Sequence, residues 1–116
     1  MTIRDVKDLL DASLIWGRED LMDHELRNAC GSDMMSDVLA YVKDQSLLLT
    51  GLVNSQVIRT AEMMDVICIV FVRGKTPDQA MIELAQERGI VLLSTTHRMF
   101  TACGLLYSKG LEGGTH

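Results

Sequence analysis

Hydroxyl side chains, glycines and two cations follow the short apolar runs of this sequence, and these groups suit an anionic ligand. Arg73 and Lys75 flank Gly74 directly after one run, and Thr50-Gly51 follows another. Backbone N–H groups near glycine approach an anion closely, and the cations neutralise it. The candidate ligand-binding residues are Ser32, Asp33, Thr50, Gly51, Asn54, Arg73, Gly74, Lys75, Ser94 and Thr95. They favour a site for a nucleotide or another phosphorylated metabolite.

Most of these residues also have an ordinary structural explanation. Ser32, Asn54, Thr76 and Thr95 have the side chains of typical helix caps, and the two glycines suit turns. An α/β domain needs such residues at these positions whether or not it binds a ligand. The two cations favour a function, because a strand end has no packing need for them.

Signatures of catalysis and of metal binding are missing. The sequence has no phosphate-binding loop, no G-x-G-x-x-G and no G-x-S-x-G. His97 follows Ser94 closely, which leaves a hydrolase or transferase as the least favoured alternative. Asp33 and Asp37 are four residues apart, but a helix cap and a first-turn carboxylate explain them better than a cation site. We expect no cofactor and no bound metal.

Two kinds of segment alternate along the chain and must position these residues. Continuous apolar, β-branched runs over residues 46–50, 66–72 and 90–94 are typical of strands covered on both faces. Residues 14–16 and 25–30 are weaker strand candidates. Apolar residues recur at helical spacing near residues 3–10, 35–42, 57–64, 81–85 and 99–106. The pattern predicts the α/β class, as a three-layer α/β/α domain with a mostly parallel sheet of about four to five strands.

The helix-capping residues between the segments agree with this fold. Asn54 is placed to cap a helix beginning near Ser55, and Thr76-Pro77 to begin the next helix. Gly89 is placed to end that helix before the last strand. The carboxyl ends of parallel strands share one edge of a sheet, where ligands bind in open α/β folds. We therefore expect four loops to meet at one rim: residues 31–33, 50–54, 73–76 and 94–97.

Length and charge limit the classes of function. The chain has 116 residues, and we expect a single domain over 1–110 followed by a flexible tail over 111–116. Its net charge of −5 argues against nucleic acid and anionic lipid as partners. No apolar run is long enough to span a bilayer, and the N-terminal residues lack a signal-peptide core, which predicts a cytoplasmic protein. Three dispersed cysteines without C-x-x-C spacing predict buried thiols.

Several blocks, in order, resemble the stand-alone members of the DRTGG domain family. The blocks are GSDMMSDVLA (31–40), LLLTGLVNSQVIRTAEMMD (47–65), IVFVRGKTP (69–77) and GIVLLST (89–95). The likeness covers most of residues 25–110. The motif that names the family is not intact: Asp33 would stand at its aspartate, Met34 at its arginine, and Leu52 in place of the glycine after Thr50-Gly51.

The resemblance implies an α/β/α domain similar to the N-terminal domain of HPr kinase/phosphorylase. Such domains accompany CBS pairs, phosphotransacetylases and some inorganic pyrophosphatases, where they look regulatory and tend to pair as dimers. It implies a non-catalytic, ligand-sensing homodimer for this chain. The alternative is a homodimeric module that binds a protein partner and no small ligand, and Met63-Met64 beside a helix end is compatible with such a surface.

Overall fold

A computed structural model describes residues 1–41 and 46–113. Val42 of the predicted 35–42 helix and the last three residues lie outside this described part. The strands are β1 (Ser13–Trp16), β2 (Asn28–Gly31), β3 (Ser46–Thr50), β4 (Cys68–Phe71) and β5 (Val91–Ser94). The helices are α1 (Ile3–Leu9), α2 (Met35–Tyr41), α3 (Ser55–Met63), α4 (Gln79–Arg88) and α5 (Met99–Ser108), with a short 3₁₀ helix at Glu19–Leu21.

The five strands form one sheet in the order β1-β5-β4-β3-β2. Strands β2 to β5 are mutually parallel, and β1 is antiparallel to β5 at one edge. The predicted mostly parallel sheet is therefore confirmed, and the weak strand candidate at residues 14–16 corresponds to β1. The register places Thr50 opposite Phe71, and Phe71 opposite Ser94. The carboxyl ends of the parallel strands thus reach the same edge.

Helices cover both faces of the sheet and bury its central strands. On one face, strand residues such as Leu49 and Val70 belong to the same core cluster as Val6 of α1 and Leu106 of α5. On the other face, Leu48 and Phe71 pack in a second cluster with residues of α2, α3 and α4. All residues of β4 and β5 are buried. This double coverage is the reason for their continuous apolar runs.

Two of the three predicted helix boundaries are confirmed. The Asn54 side chain caps α3, with Oδ1 accepting from the Val57 N–H at 3.3 Å, and Gly89 ends α4 in the left-handed conformation with φ of 69°. The predicted start of α4 at Thr76-Pro77 is wrong. The cap is Asp78, whose Oδ1 accepts from the Met81 N–H at 2.9 Å. Aspartate is the stronger capping residue, and it displaces Pro77 to the position before the cap.

The chain after α5 folds back along β2. Leu111 is buried, and the Ala29 N–H donates to the Glu112 carbonyl oxygen at 2.8 Å. The tail was expected to begin at residue 111, whereas these contacts hold Leu111 and Glu112 against the sheet edge. Within the described part of the chain, no helix has the length and apolar character that a membrane span requires.

Candidate functional site

The rim at the carboxyl edge is built by extensions of the strand ladder. The Ser32 N–H donates to the Leu49 carbonyl at 3.0 Å, and the Val72 N–H donates to the Thr50 carbonyl at 3.0 Å. The Thr95 N–H donates to the Phe71 carbonyl at 2.9 Å. The loops after β2, β3, β4 and β5 therefore leave the sheet at one level. The four loops therefore lie at one rim of the sheet, as expected.

Asp33 connects the loop after β2 to the end of β3. Its Oδ1 accepts from the Gly51 N–H at 2.6 Å and from the Thr50 hydroxyl at 3.1 Å. Thr50 is fully buried, and its Oγ1 in turn accepts from the Leu52 N–H at 3.1 Å. Asp33 was expected to act as a helix cap. Its carboxylate instead faces β3, because Thr50 and Gly51 offer two donors at the adjacent strand end.

Arg73 reaches the same carboxylate from the loop after β4. Its Nη2 lies 3.9 Å from Asp33 Oδ2, and both side chains are about half exposed. The guanidinium lies across Gly51, where a Cβ atom would overlap Nη2. Glycine is therefore needed at position 51 for this arrangement. Asp33, Thr50, Gly51 and Arg73 form one contiguous group, which we call the Asp33 cluster.

The backbone that carries Arg73 is unusual. Arg73 and Gly74 both have positive φ, 60° and 71°, and the Lys75 N–H donates to the Val72 carbonyl at 3.2 Å. Two positive φ values are typical of a type I′ turn, and a non-glycine residue there is strained. The Arg73 and Gly74 N–H groups donate to the carbonyls of His97 and Thr95, both at 2.8 Å. These two bonds hold the turn against the loop after β5.

The hydroxyls after β5 have structural partners. Ser94 Oγ donates to the Lys75 carbonyl at 2.7 Å, and Thr95 Oγ1 donates to the Leu10 carbonyl of the α1 C-cap at 2.8 Å. Thr95 is not a helix cap, since Arg98 occupies that position before α5. The Ser94 hydroxyl faces the turn after β4 rather than His97. These bonds fix the relative positions of α1, β5 and the Arg73 turn.

Three further predicted residues lie in the loops around the Asp33 cluster. The Lys75 side chain is exposed and has no ion pair or hydrogen bond within residues 1–41 and 46–113. Asn54 is exposed and uses its amide oxygen to cap α3. Ser32 Oγ accepts from the Met34 N–H at 3.0 Å, which shapes the turn into α2. The ten predicted residues thus divide into the four of the cluster, Gly74 of the Arg73 turn, the neighbours Lys75, Asn54 and Ser32, and the internal hydroxyls of Ser94 and Thr95.

One exposed aromatic residue of this loop region was not predicted. Phe100, in the first turn of α5, is 90% exposed. The helical stripe Met99, Ala102, Cys103 and Leu106 excludes Phe100 from the buried face, so the spacing already contained the signal. Met34, beside Asp33, is also largely exposed. Apolar groups therefore accompany the charged groups of the loops at this edge.

The three cysteines are not part of the Asp33 cluster. Cys68 is fully buried, as predicted, whereas Cys30 and Cys103 are half-buried. Burial raises the pKa of all three thiols, so they stay protonated and weakly nucleophilic at neutral pH. In the ranges 1–41 and 46–113, no three His, Cys, Asp or Glu side chains are grouped to hold a metal ion. A cavity of about 200 Å³ lies between β2, β3 and α5, next to Ala29, Leu49 and Leu106.

The fold and the rim define a three-layer α/β domain with a charged cluster at the carboxyl edge of its sheet. A family model for the DRTGG domain matches residues 5–108. The chain belongs to the DRTGG domain family. The resemblance found in the sequence is confirmed in this respect, and the likeness to HPr kinase/phosphorylase stays a prediction.

A solved structure shares this fold. It comprises the CBS and DRTGG domains of the regulatory region of Clostridium perfringens pyrophosphatase, complexed with an activator, diadenosine tetraphosphate. The match has a TM-score of 0.74 and 19% sequence identity, and it covers 90% of this chain and 45% of that chain. This chain therefore spans less than half of that neighbour, and the likeness concerns the fold. No curated protein matches the chain.

Proposed function

We propose that this chain is a non-catalytic regulatory domain that senses a nucleotide or another phosphorylated metabolite at the carboxyl edge of its sheet. The observation that carries the proposal is the position of Arg73. Its strained backbone and the glycine beneath its guanidinium hold a cation over the ends of two strands. Backbone strain of this kind concentrates at functional sites.

The neighbouring groups support a phosphorylated ligand. Lys75 adds a second cation two residues after Arg73, and its ammonium is exposed. Asn54 offers an exposed amide at the start of α3. Phe100 presents an aromatic ring from the first turn of α5, and such rings stack on nucleobases. Cations for phosphate together with an aromatic face for a base are the groups that a nucleotide site requires.

The comparisons support the same class of function. DRTGG domains occur in the regulatory region of the clostridial pyrophosphatase, whose complex contains a dinucleotide activator. We infer that this chain shares a regulatory role with that region. A panel of nucleotides determines which of them binds to this chain.

Thermal unfolding of the wild-type protein with a panel of nucleotides tests the proposal. AMP, ATP, diadenosine tetraphosphate and inorganic phosphate are the probes. A ligand at one hundred times its dissociation constant stabilises the folded state by about 2.7 kcal/mol, which is readily measured. We expect at least one nucleotide to raise the melting temperature, and the Arg73→Ala/Lys75→Ala double variant to lose that increase.

A matched variant separates site binding from general charge effects. Arg27 precedes β2 and Lys109 follows α5, so both lie toward the opposite edge of the sheet. The Arg27→Ala/Lys109→Ala variant removes the same charge and should keep the nucleotide response. The proposal is wrong if no nucleotide stabilises the wild type, or if the Arg73→Ala/Lys75→Ala variant responds like the wild type.

A homodimeric interaction module is the second candidate function. Met63, at the end of α3, is 69% exposed, whereas Met64 packs partly against the core. Exposed methionine side chains adapt to partner surfaces. Light scattering at working concentrations tests this candidate, since a strictly monomeric protein would contradict it.

A further inference from the structure

We propose that the Asp33 cluster is an oxyanion-binding site held closed by the chain's own Asp33 carboxylate. This inference rests on the proposed function and names the subsite and its regulation. The Asp33 carboxylate accepts from the Gly51 N–H at 2.6 Å and the Thr50 hydroxyl at 3.1 Å, and the Arg73 guanidinium lies 3.9 Å away as its ion-pair partner. A backbone N–H, a hydroxyl and a guanidinium are the groups that bind phosphoryl or carboxylate oxygens. Here they surround a side chain in the place of a ligand.

The arrangement is more specific than a surface ion pair. Thr50 is fully buried, and its oxygen is oriented by the Leu52 N–H, so its proton points to Asp33. Gly51 has no side chain between its N–H and the Arg73 guanidinium. Asp33 itself is about half exposed. The Thr50 hydroxyl and the Gly51 N–H are therefore fixed in place, whereas the carboxylate that fills them can move out into water.

An external oxyanion must displace Asp33 to reach these donors. The chain's own carboxylate is tethered to the cluster and competes at high effective concentration. If Asp33 occupies the donors for about nine-tenths of the time, the apparent affinity for an anion falls about tenfold. Displacement also removes the contacts of the Asp33 side chain with β3 and Arg73, two residues before α2 begins. Ligand binding at the strand ends is thereby coupled to the start of a neighbouring helix.

Chemical rescue of an Asp33 variant tests this inference. Asp33→Ala removes the carboxylate that accepts from Gly51 and Thr50 and leaves these donors unchanged, so inorganic phosphate or acetate should occupy the site. We expect phosphate to raise the melting temperature of Asp33→Ala at a midpoint concentration about tenfold lower than for the wild type. Separate phosphate and acetate series establish whether phosphoryl or carboxylate oxygens are preferred. Sodium chloride at matched ionic strength accounts for screening.

Two control variants isolate the role of Asp33. Asp33→Asn retains a carbonyl oxygen that accepts from Gly51 and Thr50, so it should show little rescue. Asp37→Ala, in the first turn of α2, removes the same charge four residues away and should behave like the wild type. Equal phosphate responses in Asp33→Ala and Asp37→Ala would overturn the inference, because they would show a general charge effect.

A second measurement keeps the test independent of the stability of Asp33→Ala. In the wild type, an anion that replaces Asp33 must change the resonance of the Gly51 amide during a phosphate titration. An unchanged Gly51 amide at saturating phosphate would overturn the inference even where Asp33→Ala is unfolded. Failure of nucleotides on the wild type together with rescue of Asp33→Ala would reject the nucleotide proposal and retain the oxyanion site.

Discussion

Gly51 and Arg73 depend on each other at the scale of single atoms. The Arg73 guanidinium occupies the space that a Cβ on Gly51 would need. Arg73 also adopts φ of 60°, a conformation that costs a non-glycine residue about 1 kcal/mol or more. Position 51 must lack a side chain, and position 73 keeps a non-glycine residue in a strained backbone conformation.

Gly51→Ala should therefore reduce ligand binding much more than stability. The added Cβ displaces only the end of a flexible side chain and weakens a half-exposed ion pair, so the cost in unfolding free energy should stay below about 1 kcal/mol. The nucleotide-induced rise in melting temperature should be largely lost. Gly104→Ala is the control, since a Cβ in that part of α5 meets open space. A Gly51→Ala protein that binds nucleotides like the wild type would contradict the assignment.

Two substitutions of Arg73 separate its backbone from its guanidinium. Arg73→Gly and Arg73→Ala both remove the charge, but only glycine relieves the positive φ. We expect Arg73→Gly to be more stable than Arg73→Ala by about 1 kcal/mol in chemical denaturation. Neither variant should retain the ligand response. Equal stabilities would show that the turn after β4 relaxes when the arginine is lost.

The sequence predicted which loops meet but not which atoms bond. Parallel strands deliver their ends to one edge, so the positions of Thr50, Arg73 and Ser94 followed from the α/β pattern. The partners were not predictable, because they depend on tertiary contacts. Thr95, for example, donates to Leu10, 85 residues away in sequence. Asp33 was similarly assigned to its own helix, although its donors come from the next strand.

At the scale of elements, apolar periodicity located the helices and strands, whereas local competition decided the boundaries. The start of α4 contains two capping residues separated by one proline. Thr76-Pro77 is the more familiar pattern, but the Asp78 carboxylate accepts from the Met81 N–H. A carboxylate also interacts favourably with the positive end of the helix dipole. A capping rule that is applied to each residue separately does not predict which of two neighbouring candidates caps the helix.

The corrected boundary of α4 gives a direct test of capping. Asp78→Ala should lower the unfolding free energy by about 1 kcal/mol, because it leaves the Met81 N–H without its partner. Thr76→Ala, two residues earlier and exposed, should change it by less than about 0.5 kcal/mol. Urea denaturation of the two variants measures the difference. A larger loss in Thr76→Ala would restore the sequence-based boundary.

At the scale of the whole molecule, the sequence predicted the layers but not the order of the strands. Each apolar run reports that a strand is covered on both faces and contains no information on its neighbours. β1 is antiparallel to β5, and its four residues are exposed or half-buried, which explains its weaker signal. The buried pattern of β4 and β5 was strong because both lie inside the sheet.

The same central burial predicts how the molecule responds to alkaline pH. Cys68 begins β4 and is fully buried, and this burial raises the pKa of its thiol far above the ordinary value. Above about pH 8.5 the unfolded chain loses this proton while the folded chain keeps it. Unfolding then releases a proton, so stability falls as pH rises, by about 1.4 kcal/mol per pH unit for one thiol.

Denaturation series at pH 7 to 10.5 test this prediction. The difference in unfolding free energy between wild type and Cys68→Ala should shrink at this rate above about pH 8.5. Cys103→Ala, at a half-buried thiol, is the control and should show a weaker trend. A constant difference between wild type and Cys68→Ala across this range would mean that β4 opens to solvent before the molecule unfolds.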